Sequence, residues 1–151
     1  MVSISRGKIR RARPADAPAI ASLLGELGYP TATEAAAARL ERLRSHPDVG
    51  VLVYELADQV VGLAAFQLLF LLERARPQCR LTALVVDADR RRLGIAGALL
   101  DAVEGSARRA GCFRLEVTTQ PRRDDALAFY IARGFYERRR RLVKELVRAS
   151  G

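Results

Sequence analysis

The chain has 151 residues, half of them hydrophobic, and a formal net charge of +9. This length suits one domain with one core, and no run of about 18 apolar residues predicts a membrane-spanning helix. Two cysteines, Cys79 and Cys112, make no disulfide framework, which excludes a disulfide-stapled secreted fold and favours a reducing compartment. We therefore predict a single cytoplasmic domain over residues 1–151.

The positive charge permits binding to nucleic acid or to an anionic membrane, but its distribution favours neither. Lys8 and Lys144 are the only lysines, so nearly all of the charge is arginine, spread along the chain. Aromatic residues make up 6% of the sequence, too few to predict the stacking platforms of a nucleic-acid groove. The one histidine, His46, precedes Pro47 and has no metal-ligating partner in the sequence around it. We predict no metal and no membrane, with nucleic acid as an alternative partner only.

The first half of the chain predicts a strand, two helices and a hairpin. After a short strand, Lys8 to Arg13, Asp16 is placed to cap a helix with an apolar stripe. Thr31 and Glu34 have the spacing of a capping box, which predicts a second helix up to about Ser45. The hairpin has the strands Val49 to Leu56 and Val60 to Leu72, joined by a turn at Ala57 to Gln59.

The second half predicts alternating strands and helices. Its elements are a strand Arg80 to Asp87, a helix up to about Ala110, a strand Phe113 to Thr119, a helix from about Asp124 to Arg133, and two short strands at Phe135 to Arg138 and Arg140 to Val147. Helical connections between strands argue against a purely antiparallel sheet. The order β-α-α-β-β-β-α-β-α-β-β therefore predicts an α/β fold with a mixed sheet.

The most informative stretch follows the apolar run Leu81 to Val86. From Arg90 to Gly97 the chain turns through arginines and small residues, and a helix begins at or near Leu93. Small side chains leave main-chain N–H groups uncovered, and the positive end of the helix dipole adds to them, so this turn suits a pyrophosphate. It lacks the Lys-Ser/Thr pair of a P-loop and the three glycines of a dinucleotide fingerprint, so neither of those ligands is predicted.

Two blocks of the sequence resemble the GNAT superfamily of N-acetyltransferases. Arg91 to Ala96 is similar to the acetyl-CoA signature of that family, Q/R-x-x-G-x-G/A, and Ala126 to Phe135 resembles its later A-x-x-F-Y-x-x-x-G-F motif. The order of elements also matches. The resemblance implies the GNAT fold, an α/β fold with a mixed, mostly antiparallel central sheet of about six to seven strands and helices on both faces. It also implies acetyl-CoA as the cosubstrate.

The resemblance implies where acetyl-CoA binds. In the family, the strand before the signature and the strand after its helix splay apart, and pantetheine pairs with main chain in the gap. Here that implies contacts from Leu84, Val85 and Val86, with the Val86 N–H placed to polarise the acetyl carbonyl. The implied phosphate contacts are Arg91, Arg92, Leu93, Gly94, Ile95, Ala96 and Gly97. Arg122 and Arg123 lie in a loop where relatives place polar groups near the adenosine.

Tyr130 is the implied catalytic residue. The family uses a tyrosine at this motif position as the general acid that protonates the departing thiolate. A free phenol has a pKa of about 10 and a thiol about 8.5, so a phenol is protonated at neutral pH and can donate to the sulfur. Taken without the motifs, a tyrosine beside Leu127 and Phe129 equally suits the core.

The sequence does not identify a general base. Many relatives carry an acidic residue near the start of the strand before the signature, where this chain has Cys79 and Arg80. The candidates are Glu55, Glu73 and Glu116, each of which also suits a solvated surface. Cys112 has no histidine partner nearby in the sequence, so we predict a structural cysteine and not a nucleophile.

The sequence thus predicts an N-acetyltransferase that moves the acetyl group of acetyl-CoA to a primary amine by direct transfer in a ternary complex. The acceptor is a small-molecule or peptide amine, and a homodimer stays open because homodimers are common in the family. Two alternatives remain: a non-catalytic acyl-CoA-binding sensor on the same fold, and a basic nucleic-acid-binding module. The run Arg138 to Arg141 predicts a solvated strand face and not a DNA reader.

Overall fold

The computed structural model describes residues 7–119, 124–138 and 140–147. The chain divides into two compact units, Met1–Val117 and Thr118–Gly151, which we call the N-terminal unit and the C-terminal unit. All strands found in the described residues belong to the N-terminal unit, together with three helices, and a fourth helix belongs to the C-terminal unit. The single domain over 1–151 stays a prediction.

Five strands and four helices occur in the described residues. The strands are β1 (Lys8–Arg11), β2 (Val49–Leu56), β3 (Gln59–Leu69), β4 (Gln78–Val86) and β5 (Arg114–Val117). The helices are α1 (Ala17–Leu27), α2 (Thr33–Arg44), α3 (Ile95–Arg109) and α4 (Asp124–Ala132). Short 3-10 turns at Pro14–Asp16 and Ala88–Arg90 precede α1 and α3.

The strands form one sheet in the order β1-β2-β3-β4-β5. Neighbours from β1 to β4 are antiparallel and β5 joins β4 in parallel, so the predicted mixed, mostly antiparallel sheet is confirmed. A parallel pair requires a crossover connection, which α3 supplies. The predicted hairpin of β2 and β3 is also confirmed. Its turn residues Ala57 and Asp58 have φ of 50° and 63°, the left-handed conformations of a tight hairpin turn.

One face of the sheet is covered by α1 and α2. Val53, Leu63 and Val85 are cross-strand partners in β2, β3 and β4, so their side chains point to the same face. There they form a core with apolar residues of both helices, among them Leu23 and Leu40, each 3% exposed. This core fixes the position of β4 relative to the two helices.

The other face of the sheet is covered by α3. A Cβ atom on Gly62 of β3 would lie 3.0 Å from Ile95 and 3.0 Å from Leu99, so a glycine at this position lets α3 pack against the strand backbone. Leu99 and Val103 are fully buried on the inner side of α3. The predicted arrangement of helices on both faces is therefore confirmed within the N-terminal unit.

Asp16 ties β1 to the start of α1. Its two carboxylate oxygens accept hydrogen bonds from the Arg10 guanidinium at 2.8 and 2.9 Å, and Oδ2 also accepts the Arg13 N–H at 2.7 Å. Arg10 Nε reaches Glu55 Oε2 of β2 at 3.0 Å. The predicted cap is therefore wrong in detail, because the carboxylate binds the Arg13 N–H one turn earlier and no N–H of α1.

The capping box predicted for the second helix does not form. The N-cap of α2 is Ala32, one residue later than the prediction required, so Glu34 is the second residue of the helix and not the third. The Thr31 hydroxyl instead donates to the Tyr29 carbonyl at 2.6 Å. The Thr31 side chain thus forms a local hydrogen bond to the preceding turn in place of the predicted cap.

The two strands predicted after α4 are wrong. Residues 135–138 and 140–147 form no strand, and Arg139 lies outside the described residues, so the described sheet has five strands and not six to seven. The apolar residues of the last segment come in adjacent pairs, Leu142–Val143 and Leu146–Val147. Because side chains alternate along a strand, such pairs would place apolar groups on both faces. Leu142 is 96% exposed.

Candidate functional site

The turn between β4 and α3 contains two left-handed residues. Arg92 and Gly94 have φ of 65° and 78°. Gly94 is the N-cap of α3, so the helix begins at Ile95 and not near Leu93 as predicted. The reason is that a residue with positive φ cannot lie inside a right-handed helix.

The first turn of α3 leaves its main-chain donors available to a ligand. No side chain caps the helix, and the first N–H that bonds back to Gly94 is that of Ala98, at 3.0 Å. The N–H groups of Ile95, Ala96 and Gly97 precede it and have no intrahelical acceptor. These three N–H groups are the donors that a helix N-terminus presents to an anion.

Two arginines add charge to this turn. Arg91 and Arg92 are exposed, and neither forms a salt bridge within the described part of the chain. Leu93 between them and the helix is 62% exposed. The turn is anchored from α1, because Glu26 Oε2 accepts the Ala88 N–H at 3.1 Å. The turn thus places two guanidinium groups in the same short segment as the free N–H groups of α3.

One hydrogen bond determines which main-chain groups of β4 point away from β3. The Asp87 N–H donates to the Val61 carbonyl at 2.8 Å, and Val86 is opposite Gly62, so Val86 and Gly62 are a non-hydrogen-bonded pair. The N–H and C=O of Val86 therefore face the other edge of β4. By the alternation of the strand, those of Leu84 do so too.

That edge of β4 is only partly covered by β5. The two strands pair from Gln78 to Leu81, whereas β4 continues to Val86. From Thr82 onward β4 has no strand partner on this side within the described residues. Leu84 and Val86 thus offer unpaired donors and acceptors about 7 Å apart, on the strand that leads to the turn from Arg91 to Gly97, which we call the anion turn. The main chain of Val85 faces β3 and its side chain is 7% exposed. Val85 is therefore part of the core, unlike Leu84 and Val86, the other two residues predicted to contact pantetheine.

In the C-terminal unit, the second sequence motif ends α4 with a Schellman motif. Gly134 has a φ of 93°, and the N–H groups of Gly134 and Phe135 donate to the carbonyls of Ile131 and Tyr130, both at 3.1 Å. The Phe135 ring meets the Tyr130 ring edge to face at 5.3 Å, and Phe129 meets it in the same way at 5.2 Å. The Tyr130 ring is therefore held between two aromatic neighbours.

Tyr130 is 8% exposed. Burial raises the pKa of its phenol to about 12, so the group stays protonated throughout the neutral range. Its hydroxyl forms no hydrogen bond with another described residue. The phenol is thus a proton donor that no described residue engages.

Two of the three carboxylates considered as a general base are held in ion pairs. Glu55 pairs with Arg10 at 3.0 Å, and Glu116 of β5 pairs with Arg80, its cross-strand partner in β4, also at 3.0 Å. Glu73 is exposed in the loop after β3. Each of these two carboxylates is therefore already engaged by a guanidinium group.

The cysteines are unsuited to nucleophilic chemistry. Burial raises the pKa of Cys79 to about 12, with a smaller contribution from Cys112, and burial also raises the pKa of Cys112. Both are free thiols, and a nucleophilic cysteine needs the opposite shift. The structure thus agrees with a structural role for Cys112.

One feature of β4 had no signal in the sequence. Ala83 is opposite Ala65 of β3 but Leu81 is opposite Phe66, so Thr82 is an extra residue, a β-bulge. Bulges re-aim side chains and are frequent beside active sites. Register is a non-local property, and nothing in the local pattern around Thr82 distinguishes it from an ordinary strand residue.

Other candidate sites contribute little. Within the described residues, no group of three or more His, Cys, Asp or Glu residues could hold a metal ion, and no helix is both long and apolar enough to cross a membrane. Arg122 and Arg123, considered for the adenosine, lie outside the described residues.

Solved structures with the same architecture are numerous. A transcriptional regulator from Bacillus halodurans superposes with a TM-score of 0.83 at 19% identity, over 93% of this chain and 100% of that one. Aminoglycoside N-acetyltransferase AAC(6')-Iy in complex with CoA gives 0.81 at 20% identity, over 96% and 97%. Glucosamine-6-phosphate N-acetyltransferase from Arabidopsis thaliana gives 0.80 at 19%, over 94% and 99%. At these identities the likeness establishes the fold. Comparison with curated proteins finds no significant match.

The architecture and the open-edged site define the GNAT fold. The sequence model of the Acetyltransferase (GNAT) family matches residues 18–135, which span the anion turn, the bulged strand and the second motif. The chain belongs to this family of acetyltransferases.

Proposed function

We propose that this protein is an acetyl-CoA-dependent N-acetyltransferase acting on a primary amine. The observation that carries the proposal is the continuity of two features: the unpaired main chain of Leu84 and Val86, and the uncapped N-terminus of α3 that follows them. A single ligand with an amide-bearing arm and a diphosphate would engage both. Coenzyme A has both parts, and a protein of similar fold was solved in complex with CoA.

The residues of the chain fit this cosubstrate in kind. Leu84 and Val86 offer donors and acceptors for the amides of pantetheine, and the turn from Arg91 to Gly97 offers N–H groups and two guanidiniums for the phosphates. In the transfer, the amine nitrogen forms a bond to the acetyl carbon, the carbon–sulfur bond breaks, and the thiolate takes a proton. The acetyl group passes directly from thioester to amine in a ternary complex.

The chain contributes orientation, polarisation and a proton. Holding amine and thioester together supplies most of the rate, and the Val86 N–H is the donor we assign to the carbonyl oxygen as negative charge develops on it. We assign the general acid to Tyr130, because its ring is held by Phe129 and Phe135 and no described residue engages its hydroxyl. We assign removal of the amine proton to Glu73 or to ordered water, because Glu55 and Glu116 are held by arginines.

A non-catalytic acyl-CoA-binding sensor is the second candidate. The same ion pairs favour it, because they engage two of the three carboxylates considered as a general base and leave Glu73 as the only one of the three without an ion pair in the described residues. A protein of similar fold is described as a transcriptional regulator. The predictions of a cytoplasmic location and of a small-molecule or peptide acceptor carry over from the sequence, which also leaves open whether the protein is a homodimer. A nucleic-acid-binding module is the third candidate and rests on the net charge of +9 alone.

Incubation of the protein with acetyl-CoA and a panel of primary amines tests the proposal. We expect amine-dependent release of free CoA thiol and a product heavier than the amine by one acetyl group. Binding of CoA with no turnover of any amine would support the sensor. Loss of CoA binding together with salt-dependent binding to random DNA would support the nucleic-acid module.

A further inference from the structure

The ion pair of Arg80 and Glu116 lies at the point where β4 and β5 part. The two residues are cross-strand partners, and the next pair along the strands, Leu81 and Val117, is the last one. We call the end of this pairing the fork. The open edge of β4, which includes the unpaired main chain of Leu84, begins directly beyond the fork, so the ion pair lies one cross-strand pair away from it.

Both side chains project from the face of the sheet that α1 and α2 cover, but neither helix buries them. Arg80 is opposite Gln67 of β3, and Gln67 is on the same face as Leu63 because it lies four residues further along that strand. Glu116 shares this face as the partner of Arg80. The Arg80 and Glu116 side chains are 45% and 36% exposed, so a ligand can reach the pair from solvent.

The pair leaves one hydrogen-bond acceptor and one donor group unused. Arg80 donates from Nε at 3.2 Å and from Nη2 at 3.0 Å, and both bonds end on Oε1 of Glu116. Among the described residues, no group donates to Oε2 of Glu116 and none accepts from Nη1 of Arg80. A ligand ammonium suits the free carboxylate oxygen, and a ligand carboxylate suits the free guanidinium nitrogen.

The two opposite charges of the pair favour ligand groups that carry both signs. An ammonium alone would be attracted by Glu116 and repelled by Arg80, and a carboxylate alone would meet the reverse. A zwitterion sets each of its charges against the opposite one and gains from both. The simplest such group is an ammonium separated from a carboxylate by one carbon, as in an α-amino acid.

The proposed direction of coenzyme A brings its reacting end toward this pair. Coenzyme A carries its phosphates at one end and its sulfur at the other. With the phosphates at the anion turn, the pantetheine arm therefore runs back along β4 from Val86 to Leu84 and toward the fork. Leu84 is four residues from Arg80, at most about 13 Å along the strand, and the long side chains of the pair shorten the gap. An acceptor bound at the pair needs only a short arm to bring a reacting amine to the thioester.

We propose that the pair of Arg80 and Glu116 binds a zwitterionic α-amino-acid group of the acceptor, and that the acceptor is a diamino acid whose side-chain amine takes the acetyl group. The inference rests on the proposed acetyl transfer. The side-chain nitrogen forms a bond to the acetyl carbon and loses a proton, the carbon–sulfur bond breaks, and the thiolate gains a proton. The α-ammonium stays bound to Glu116 and does not react, so Arg80 and Glu116 bind the acceptor and transfer no proton.

Acceptors that differ by one charge test the assignment. The assay measures kcat/KM first for diaminobutyrate, ornithine and lysine, which finds the best length of the arm, and then for analogues of the best one. For lysine, cadaverine lacks the carboxylate, ε-aminocaproate lacks the α-ammonium, and pentylamine lacks both. We expect kcat/KM to fall by at least about tenfold for each missing charge, the scale of one hydrogen bond to a charged group.

Two variants each remove one charge from the pair. Arg80→Gln should lower kcat/KM by about tenfold for acceptors that have the carboxylate and should not lower it for cadaverine. Glu116→Gln should lower it by about tenfold for acceptors that have the α-ammonium and should not lower it for ε-aminocaproate. Glu104→Gln is the matched control, because it breaks an exposed ion pair with Arg108 on α3 and should change none of the ratios between acceptors. A calorimetric CoA titration of each variant shows whether the cosubstrate site is intact.

Failure of the inference is distinguishable from failure of the proposed function. Equal kcat/KM for the diamino acid and for pentylamine would overturn the binding of a zwitterion while acetyl transfer stands. An equal loss for all four acceptors in Arg80→Gln and Glu116→Gln would do the same. Turnover of no amine by a protein that binds CoA would overturn the proposed transfer and the inference with it.

Discussion

Phe135 donates its N–H to the Tyr130 carbonyl at 3.1 Å, and the rings of the two residues meet edge to face at 5.3 Å. Tyr130 and Phe135 therefore stand on either side of the end of a helix, where Gly134 supplies the residue in the left-handed conformation. The bond and the ring contact together fix the orientation of the tyrosine on the last turn of α4. A fixed ring is what a proton donor needs if its hydroxyl is to stay in one place.

Tyr130→Phe removes the hydroxyl and keeps the ring contacts. If the phenol protonates the departing thiolate, turnover should fall by roughly 10²–10⁴, with CoA affinity nearly unchanged because the proton matters in the transition state. Steady-state rates with an acceptor found by screening, and a CoA titration, measure both quantities. Tyr136→Phe is the control, since Tyr136 is 71% exposed. Equal rates for wild type and Tyr130→Phe, with chemistry rate-limiting, would leave protonation to water.

Asp16→Asn keeps the shape of the side chain and removes the charge that faces Arg10. The Asp16 and Arg10 side chains are 8% and 14% exposed. Arg10 keeps its ion pair with Glu55 in the variant, so we expect a loss of about 2 kcal/mol in the free energy of unfolding, the scale of a hydrogen bond to a charged group. Glu116→Gln breaks the pair with Arg80, where the side chains are 36% and 45% exposed, and should cost less than about 1 kcal/mol. Equal losses in urea unfolding would show that burial does not strengthen the Arg10 pair.

The same carboxylate gives the stability a dependence on pH. The hydrogen bonds from Arg10 hold the pKa of Asp16 below its usual value. A carboxyl whose pKa is lowered on folding stabilises the folded state above its unfolded pKa of about 4, and that contribution is lost as the pH falls through the folded value. Wild type should therefore lose stability below about pH 4 more steeply than Asp16→Asn. Parallel curves from urea unfolding at several pH values would contradict this.

Replacing Arg91 and Arg92 by glutamine removes two exposed charges from the anion turn. We expect the Kd for CoA to rise by about tenfold, since each exposed charged contact contributes up to about 1 kcal/mol. Replacing Arg140 and Arg141 by glutamine makes the same change of charge in an exposed segment of the C-terminal unit and should leave the Kd unchanged. A larger effect of the second pair in calorimetry would place the phosphates elsewhere.

The parts of the fold that sequence predicted well depend on local interactions. The hairpin follows from alternation in β2 and β3, and the C-terminal ends of α3 and α4 are followed by Gly111 and Gly134, whose positive φ values depend on their immediate neighbours. The uncapped start of α3 was predictable for the same reason, because free N–H groups at a helix start need only small side chains and no distant partner.

The parts that sequence missed depend on register and on tertiary contacts. The pairing of β4 with β5 stops at Leu81, and the bulge at Thr82 shifts the register of β4 against β3. The strands predicted after α4 failed because the pattern of Leu142 to Val147 provides apolar residues without the alternation that a sheet face requires.

Titration of ligand-free protein with CoA tests the central claim most directly. We predict binding to wild type that weakens by at least about tenfold in Gly94→Val, because a β-branched residue at a φ of 78° strains the N-cap that presents the α3 donors. Gly111→Val is the matched control: Gly111 has a φ of 77° against 78° for Gly94, and a Cβ there also meets no atom within 4 Å. Both variants carry the same backbone strain, at opposite ends of one helix. No binding of CoA by ligand-free wild type, or equal weakening by Gly94→Val and Gly111→Val, would contradict the account.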